Sequence, residues 1–178
     1  RHCLWSPQLA DTVIIDVWTP DGYAADGPAY SAIYAHDGQN LYDATTTWNR
    51  QSWELDSAVG RLVVSDSLAA PVIVGIHSRM ESRLGDLAPQ KALEAIPDSL
   101  LRDFTRMSDR PLRGDAYAAF IANTLRPFIN QTYNVRTDVA STTLLGSSMG
   151  GLISLYTMCE YPEVFGNALC LSTHWVGL

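Results

Sequence analysis

The stretch Thr142-Thr143-Leu144-Leu145-Gly146-Ser147-Ser148-Met149-Gly150-Gly151 admits few folds. A short β-branched and apolar run leads into it, glycines bracket Ser148, and an apolar stretch follows that Pro162 ends. A strand that becomes a helix within so few residues needs a turn tight enough to strain its central residue. Side chains at 146 and 150 would collide with neighbouring backbone there. A junction of this kind predicts strands in parallel with helices crossing between them.

The remaining segments repeat that alternation. Residues 12–18 are rich in Val and Ile and predict a strand ending at Pro20; residues 29–35 predict a more buried one before the loop His36-Asp37-Gly38-Gln39-Asn40. In residues 52–64 the apolar positions Leu55, Val59, Leu62 and Val63 fall on one helix face. Residues 71–76 form an unbroken apolar run, as a strand covered on both faces requires, and deliver His77 and Ser78 to the next loop. Residues 79–112 lack a clear period and are expected to form a loop excursion over a site. A helix over 115–133 follows, with a kink or break at Pro127, then a strand over 141–145, a helix over 149–161 and a strand over 167–172. This order predicts an α/β fold: a mostly parallel sheet with helices on both faces, a three-layer sandwich with right-handed crossovers, in a single domain over 1–178.

Charge narrows the partners. Twelve basic against nineteen acidic residues leave a net charge of -7, which argues against nucleic acid and anionic membrane surfaces. No apolar run reaches the about 20 residues a membrane helix needs. The first residue, Arg1, fits a processed secretory product as well as an engineered or incomplete chain, so compartment and oligomeric state stay open. Cys3, Cys159 and Cys170 have no spacing of a disulfide framework or zinc site, and Cys159 and Cys170, set in apolar runs, are expected to act as small core residues.

The glycine-bracketed turn also carries chemistry. Gly146-Ser147-Ser148-Met149-Gly150 is G-x-S-x-G in a strand-turn-helix setting, which lifts the Ser148 hydroxyl above the carboxyl edge of the sheet as a catalytic nucleophile. The alternative is a connecting turn without chemistry. Ser147 holds the variable position and is set aside. The Met149 N–H, at a helix N-terminus beside Ser148, is placed to bind the oxyanion of a tetrahedral intermediate. A second donor is expected from the loop after residue 35, with the N–H of Gly38 or Gln39 as candidates. His36 and Asp37 are candidates for shaping that loop or lining a pocket, and a metal site of His36, Asp37 and Asp43 is outweighed for want of further ligands. His77, His174 and Trp175 are further pocket candidates; Trp48, Trp53 and Tyr42 could, like Trp175, supply aromatic surface for a sugar or aryl ester, and core packing is the reading preferred for each. The Asn130-Gln131-Thr132 sequon is read as incidental in a helix. No metal or cofactor is expected.

Several segments together resemble the esterase family of the α/β-hydrolase superfamily that includes enterochelin esterase and esterase D. They are Tyr34-Ala35-His36-Asp37-Gly38-Gln39-Asn40-Leu41-Tyr42-Asp43, Trp53-Glu54-Leu55-Asp56, Leu87-Ala88-Pro89-Gln90-Lys91, the run from Leu145 to Leu152, and Tyr161-Pro162-Glu163-Val164-Phe165-Gly166. The resemblance implies a Ser-Asp-His triad whose acid and histidine follow the nucleophile on loops after later strands. No Asp follows Ser148 here, and His174 is the sole downstream histidine, so the resemblance implies that the sheet is incomplete at the C-terminus and that both partners lie beyond Leu178. The expected function is hydrolysis of a small-molecule or carbohydrate ester, with an aryl ester as a variant, through an acyl-enzyme on Ser148. Two alternatives stand beside it: a hydrolase-fold module without catalysis, and acyl transfer by the same serine. An incomplete sheet would also leave the strand over 167–172 as an uncovered apolar edge prone to pairing.

Overall fold

Period-two alternation sends successive side chains of a strand to opposite faces, and here both faces find helices. The computed structural model describes residues 1–47, 49–66, 68–106 and 111–175. Its strands are β1 (His2–Ser6), β2 (Asp11–Trp18), β3 (Ser31–His36), β4 (Pro71–Ile76), β5 (Thr142–Ser147) and β6 (Asn167–Leu171). Among the described residues they form one sheet in the order β1-β2-β4-β3-β5-β6. From β4 through β3 and β5 to β6 the strands are parallel, whereas β1 with β2 and β2 with β4 are antiparallel. The expected α/β architecture is present, with an antiparallel flank.

The helices are α1 (Leu55–Val64), α2 (Met80–Asp86), α3 (Gln90–Glu94), α4 (Asp98–Arg106), α5 (Gly114–Phe120), α6 (Arg126–Thr132) and α7 (Met149–Glu160). Ala35, Ile73 and Leu145 share one apolar cluster with Val59 of α1, against which Leu55 and Val63 also pack. Tyr34, Val72, Val74, Ile76 and Leu144 share the other with Phe120, Ile121, Leu125, Ile129 and Ile153 of the helices after α4. All six residues of β4 are buried. At about 1.5–3 kcal/mol for each large aliphatic side chain taken out of water, β3, β4 and β5 fix the sheet and the loops at their carboxyl ends.

β6 is different. Leu169 and Leu171, on the face that Leu145 occupies, are 47% and 50% exposed, and neither joins the cluster around Val59 of α1. No strand lies outside β6 among the described residues, so the uncovered apolar edge expected from the sequence is present.

Several expectations need correction. β1 is a strand that the sequence pattern does not signal; its burial alternates over only five residues at the rim of the sheet. The excursion over 79–112 contains, among the described residues, three short helices, α2, α3 and α4, of seven, five and nine residues. At Pro127, where a kink or break is expected, the chain does not break: it stays helical from α5 into α6, and the α pattern is interrupted in the turn before the proline, by a π-helix over Ile121–Leu125. Cys159 is exposed on α7 and Cys170 half-buried, so neither is a core residue.

Candidate active site

Ser148 occupies the junction between β5 and α7 with φ 57 and ψ -121, a backbone conformation that side chains rarely adopt. Contacts on both sides hold it there. Its N–H donates to the Leu171 carbonyl at 3.0 Å, and its carbonyl accepts from His174 N–H at 3.2 Å and from Gly151 and Leu152 at the start of α7. The turn is close enough that a Cβ on Gly146 would stand 2.3 Å from the carbonyl carbon of Gly150. Ser148 is half-buried, and its hydroxyl has no hydrogen-bond partner among the described residues. The Met149 N–H, first in α7, likewise finds no acceptor there.

The loop after β3 lies alongside, since β3 and β5 are neighbours with Ala35 opposite Leu145. A Cβ on Gly150 would be 3.3 Å from His36 Cβ and 3.6 Å from Asp37 Oδ2, which places both residues against the first turn of α7. Asp37 is left-handed, with φ 57 and ψ 47, and a short 3-10 turn over Gly38–Asn40 follows. Gly38 passes so close to β4 that a Cβ would sit 2.6 Å from the Gly75 carbonyl carbon. Gln39 is tied at both ends, its side-chain oxygen accepting from Ser78 N–H at 3.0 Å and its carbonyl from the Thr46 hydroxyl at 2.6 Å. The N–H groups of Gly38 and Gln39 have no acceptor among the described residues.

Beneath this loop is a buried polar layer. His36 is fully buried, with Nδ1 hydrogen-bonded to the Tyr117 hydroxyl at 2.9 Å and Nε2 without a partner among the described residues. Burial pushes its pKa down to about 4, so the ring is neutral. Burial likewise drives the Tyr117 hydroxyl well above its ordinary value. Asp37 accepts two hydrogen bonds from Arg83 of α2, each 2.7 Å long. Asp43 caps the Ala44–Thr46 turn through Thr45 N–H. His36, Asp37 and Asp43 thus have separate partners, and no group of three metal-ligating side chains occurs among the described residues.

The other candidates are held by separate contacts. His77 Nε2 is 2.7 Å from Asp16 Oδ2, on the antiparallel flank. Hydrogen bonds from Arg1 first and His77 second hold the Asp16 pKa down to about 2, against the raising effect of burial. With Thr12, Ile14, Arg79, Asp86 and Tyr117, His77 lines a cavity of about 100 Å³ to which Ser148 and Met149 do not contribute. His174 is exposed and meets Ser148 through its backbone; Trp175 is 63% exposed. Tyr42 and Trp53 pack on the α1-side core, and Trp48 lies outside the described residues. Arg83, Tyr117 and Asp16 escaped the sequence reading. Arg83 and Tyr117 meet partners 46 and 81 residues away, and no local pattern announces such pairs.

A family profile described as "Putative esterase" matches residues 6–176. The uncharacterized protein YbbA of Bacillus subtilis (strain 168) is 29% identical over 160 residues, which are 89% of this chain and 56% of that protein. The siderophore enterobactin esterase of Emericella nidulans is 28% identical over 156 residues, 87% of this chain and 49% of that protein. The chain spans about half the length of these curated relatives. Among solved structures, the BES protein from Bacillus cereus superposes with a TM-score of 0.74 at 20% identity, over 98% of this chain and 61% of that one.

Proposed function

Since this chain belongs to the esterase family, we propose that it is the nucleophile-bearing part of a serine ester hydrolase with Ser148 as the attacking residue. One observation carries the reading: a non-glycine residue with φ 57 and ψ -121 at a strand-helix junction, its hydroxyl and the neighbouring Met149 N–H without a partner among the described residues. A fold maintains such strain where the residue acts. Ser148 Oγ attacks the acyl carbonyl and gives up its proton. The carbonyl oxygen becomes an oxyanion that accepts hydrogen bonds from Met149 N–H and from Gly38 or Gln39 N–H. Collapse breaks the bond to the alcohol, which leaves with a proton, and water then hydrolyses the acyl-enzyme.

Among the described residues no histidine ring bonds the Ser148 hydroxyl, and the esterase resemblance implies a proton shuttle on a histidine after a later strand. One ring nitrogen each of His2, His36 and His77 bonds to Tyr133, Tyr117 and Asp16, and the His174 ring has no acid partner among the described residues. The greater length of the relatives leaves room for the shuttle and its acid. The substrate is a small-molecule carboxylic ester, in line with the similarity to a siderophore enterobactin esterase. Narrowing it to a carbohydrate or aryl ester finds little support from Tyr42 and Trp53, which are engaged in core packing.

The test uses the full-length protein and a fluorophosphonate probe. Covalent labelling that maps to Ser148, with hydrolysis of p-nitrophenyl acetate lost by about 10³-fold or more in Ser148→Ala, is the expected result. An unlabelled protein with no esterase activity supports a non-catalytic module instead.

A further inference from the structure

The loop after β3 brings a buried carboxylate up to the proposed oxyanion position. Asp37 is 1% exposed, and its Oδ2 would be 3.6 Å from a Cβ on Gly150, the second residue of α7. The carboxylate therefore stands at the same helix N-terminus as the Met149 N–H. An unneutralised charge there competes with a developing oxyanion for the positive end of the helix and repels it, at short range and low local dielectric. The backbone of Asp37 also leads directly into Gly38 and Gln39, so any rotation of this residue redirects both N–H groups.

Arg83 answers both problems. Its Nε donates to Oδ1 and its Nη2 to Oδ2, each at 2.7 Å, which fixes the carboxylate plane as well as offsetting its charge. The guanidinium comes from α2 and is 29% exposed, whereas the carboxylate it covers is 2% exposed. A lysine in its place supplies the charge without the fork.

Resting on the assignment of Ser148 as nucleophile, we propose that Arg83 is a positioning residue for ester cleavage. By clamping and neutralising Asp37, it leaves the helix terminus at Met149 free for the oxyanion and keeps the Gly38 and Gln39 N–H groups aimed. It acts through Asp37 and does not contact the substrate.

The experiment measures kcat and KM for p-nitrophenyl acetate, and the rate of fluorophosphonate labelling, in full-length wild type, Arg83→Gln, Arg83→Lys, Asp37→Asn and the double variant Asp37→Asn/Arg83→Gln. Loss of oxyanion stabilisation predicts a kcat about 100-fold lower in Arg83→Gln with KM changed less than about threefold. The double variant, which lacks the stranded charge, is expected to recover about tenfold over Arg83→Gln, and Arg83→Lys to keep most of the wild-type kcat. A double variant no faster than Arg83→Gln, or an Arg83→Gln enzyme with wild-type kcat, overturns the proposal while leaving Ser148 labelled. Should Arg83→Gln fail to fold, the comparison of Arg83→Lys with wild type decides: an unchanged kcat or a loss in KM alone overturns the proposal, a partial loss in kcat alone supports it. Wild type that is not labelled at Ser148 removes the functional assignment and this role together.

Discussion

His36 Nδ1 and the Tyr117 hydroxyl hydrogen-bond at 2.9 Å across the parallel core, joining the end of β3 to α5 beneath the loop that carries Asp37 and Gly38. The ring is fully buried, its Nε2 unpartnered and its pKa near 4. Protonating it in place would bury an uncompensated charge.

That burial makes stability acid-sensitive in a defined window. The unfolded chain binds a proton at His36 near the ordinary value of about 6.5, while the folded one resists until pH falls to about 4. Protons thus favour the unfolded state between these limits, and stability is present above the window and lost as pH falls through it. Urea denaturation is expected to report a loss of about 2 kcal/mol from pH 7 to pH 5 attributable to this ring. His36→Leu should flatten that slope; an unchanged slope would show that the ring titrates normally.

Strain at Ser148 predicts a trade between stability and chemistry. Glycine adopts φ 57 and ψ -121 without penalty, so Ser148→Gly is expected to raise unfolding free energy by about 1 kcal/mol while abolishing covalent labelling. Equal or lower stability in urea would mean that the conformation costs nothing.

Two glycines should respond in opposite ways to alanine. At Gly146 the new Cβ meets Gly150 backbone at 2.3 Å, and a destabilisation of about 3 kcal/mol or more is expected. At Gly60, inside α1 with nothing within 4 Å, alanine is expected to add about 0.5–1 kcal/mol by helix propensity. Thermal melts of both variants check the pair, and a tolerated Gly146→Ala would contradict the tight turn.

Exposure on β6 predicts self-association. With Leu169 and Leu171 about half exposed on an unpaired edge, the 178-residue chain is expected to sediment as concentration-dependent oligomers, and Leu169→Lys/Leu171→Lys to shift it toward monomer. A wild-type chain that remains monomeric at high concentration refutes this.

Legibility in the sequence followed the range of the interactions. Pro71–Ile76 and Met149–Glu160 announced themselves because burial there is decided by local composition, and the glycine spacing around Ser148 reports a local steric demand. The loop around Gly38 was placed by its position after a strand. By contrast, Arg83 on Asp37, Tyr117 on His36 and Asp16 on His77 are pairings of distant segments, set by how the helices dock. The rim strand β1 and the helices α2 and α3 are five to seven residues long, which leaves too few positions for a period to stand out between Pro89, Pro97 and Pro111.

The π-helical turn at Ile121–Leu125 also sets a phase. One residue beyond the α repeat rotates everything upstream by about 100° relative to everything downstream. Tyr117 on one side can then point at His36 while Phe128 on the other packs edge-on against His2, an arrangement an uninterrupted α-helix of the same residues would not hold. A single-residue deletion within that turn would shorten the helix by one step and swing Tyr117 off its bearing, so the length of this segment, as much as its composition, is under constraint.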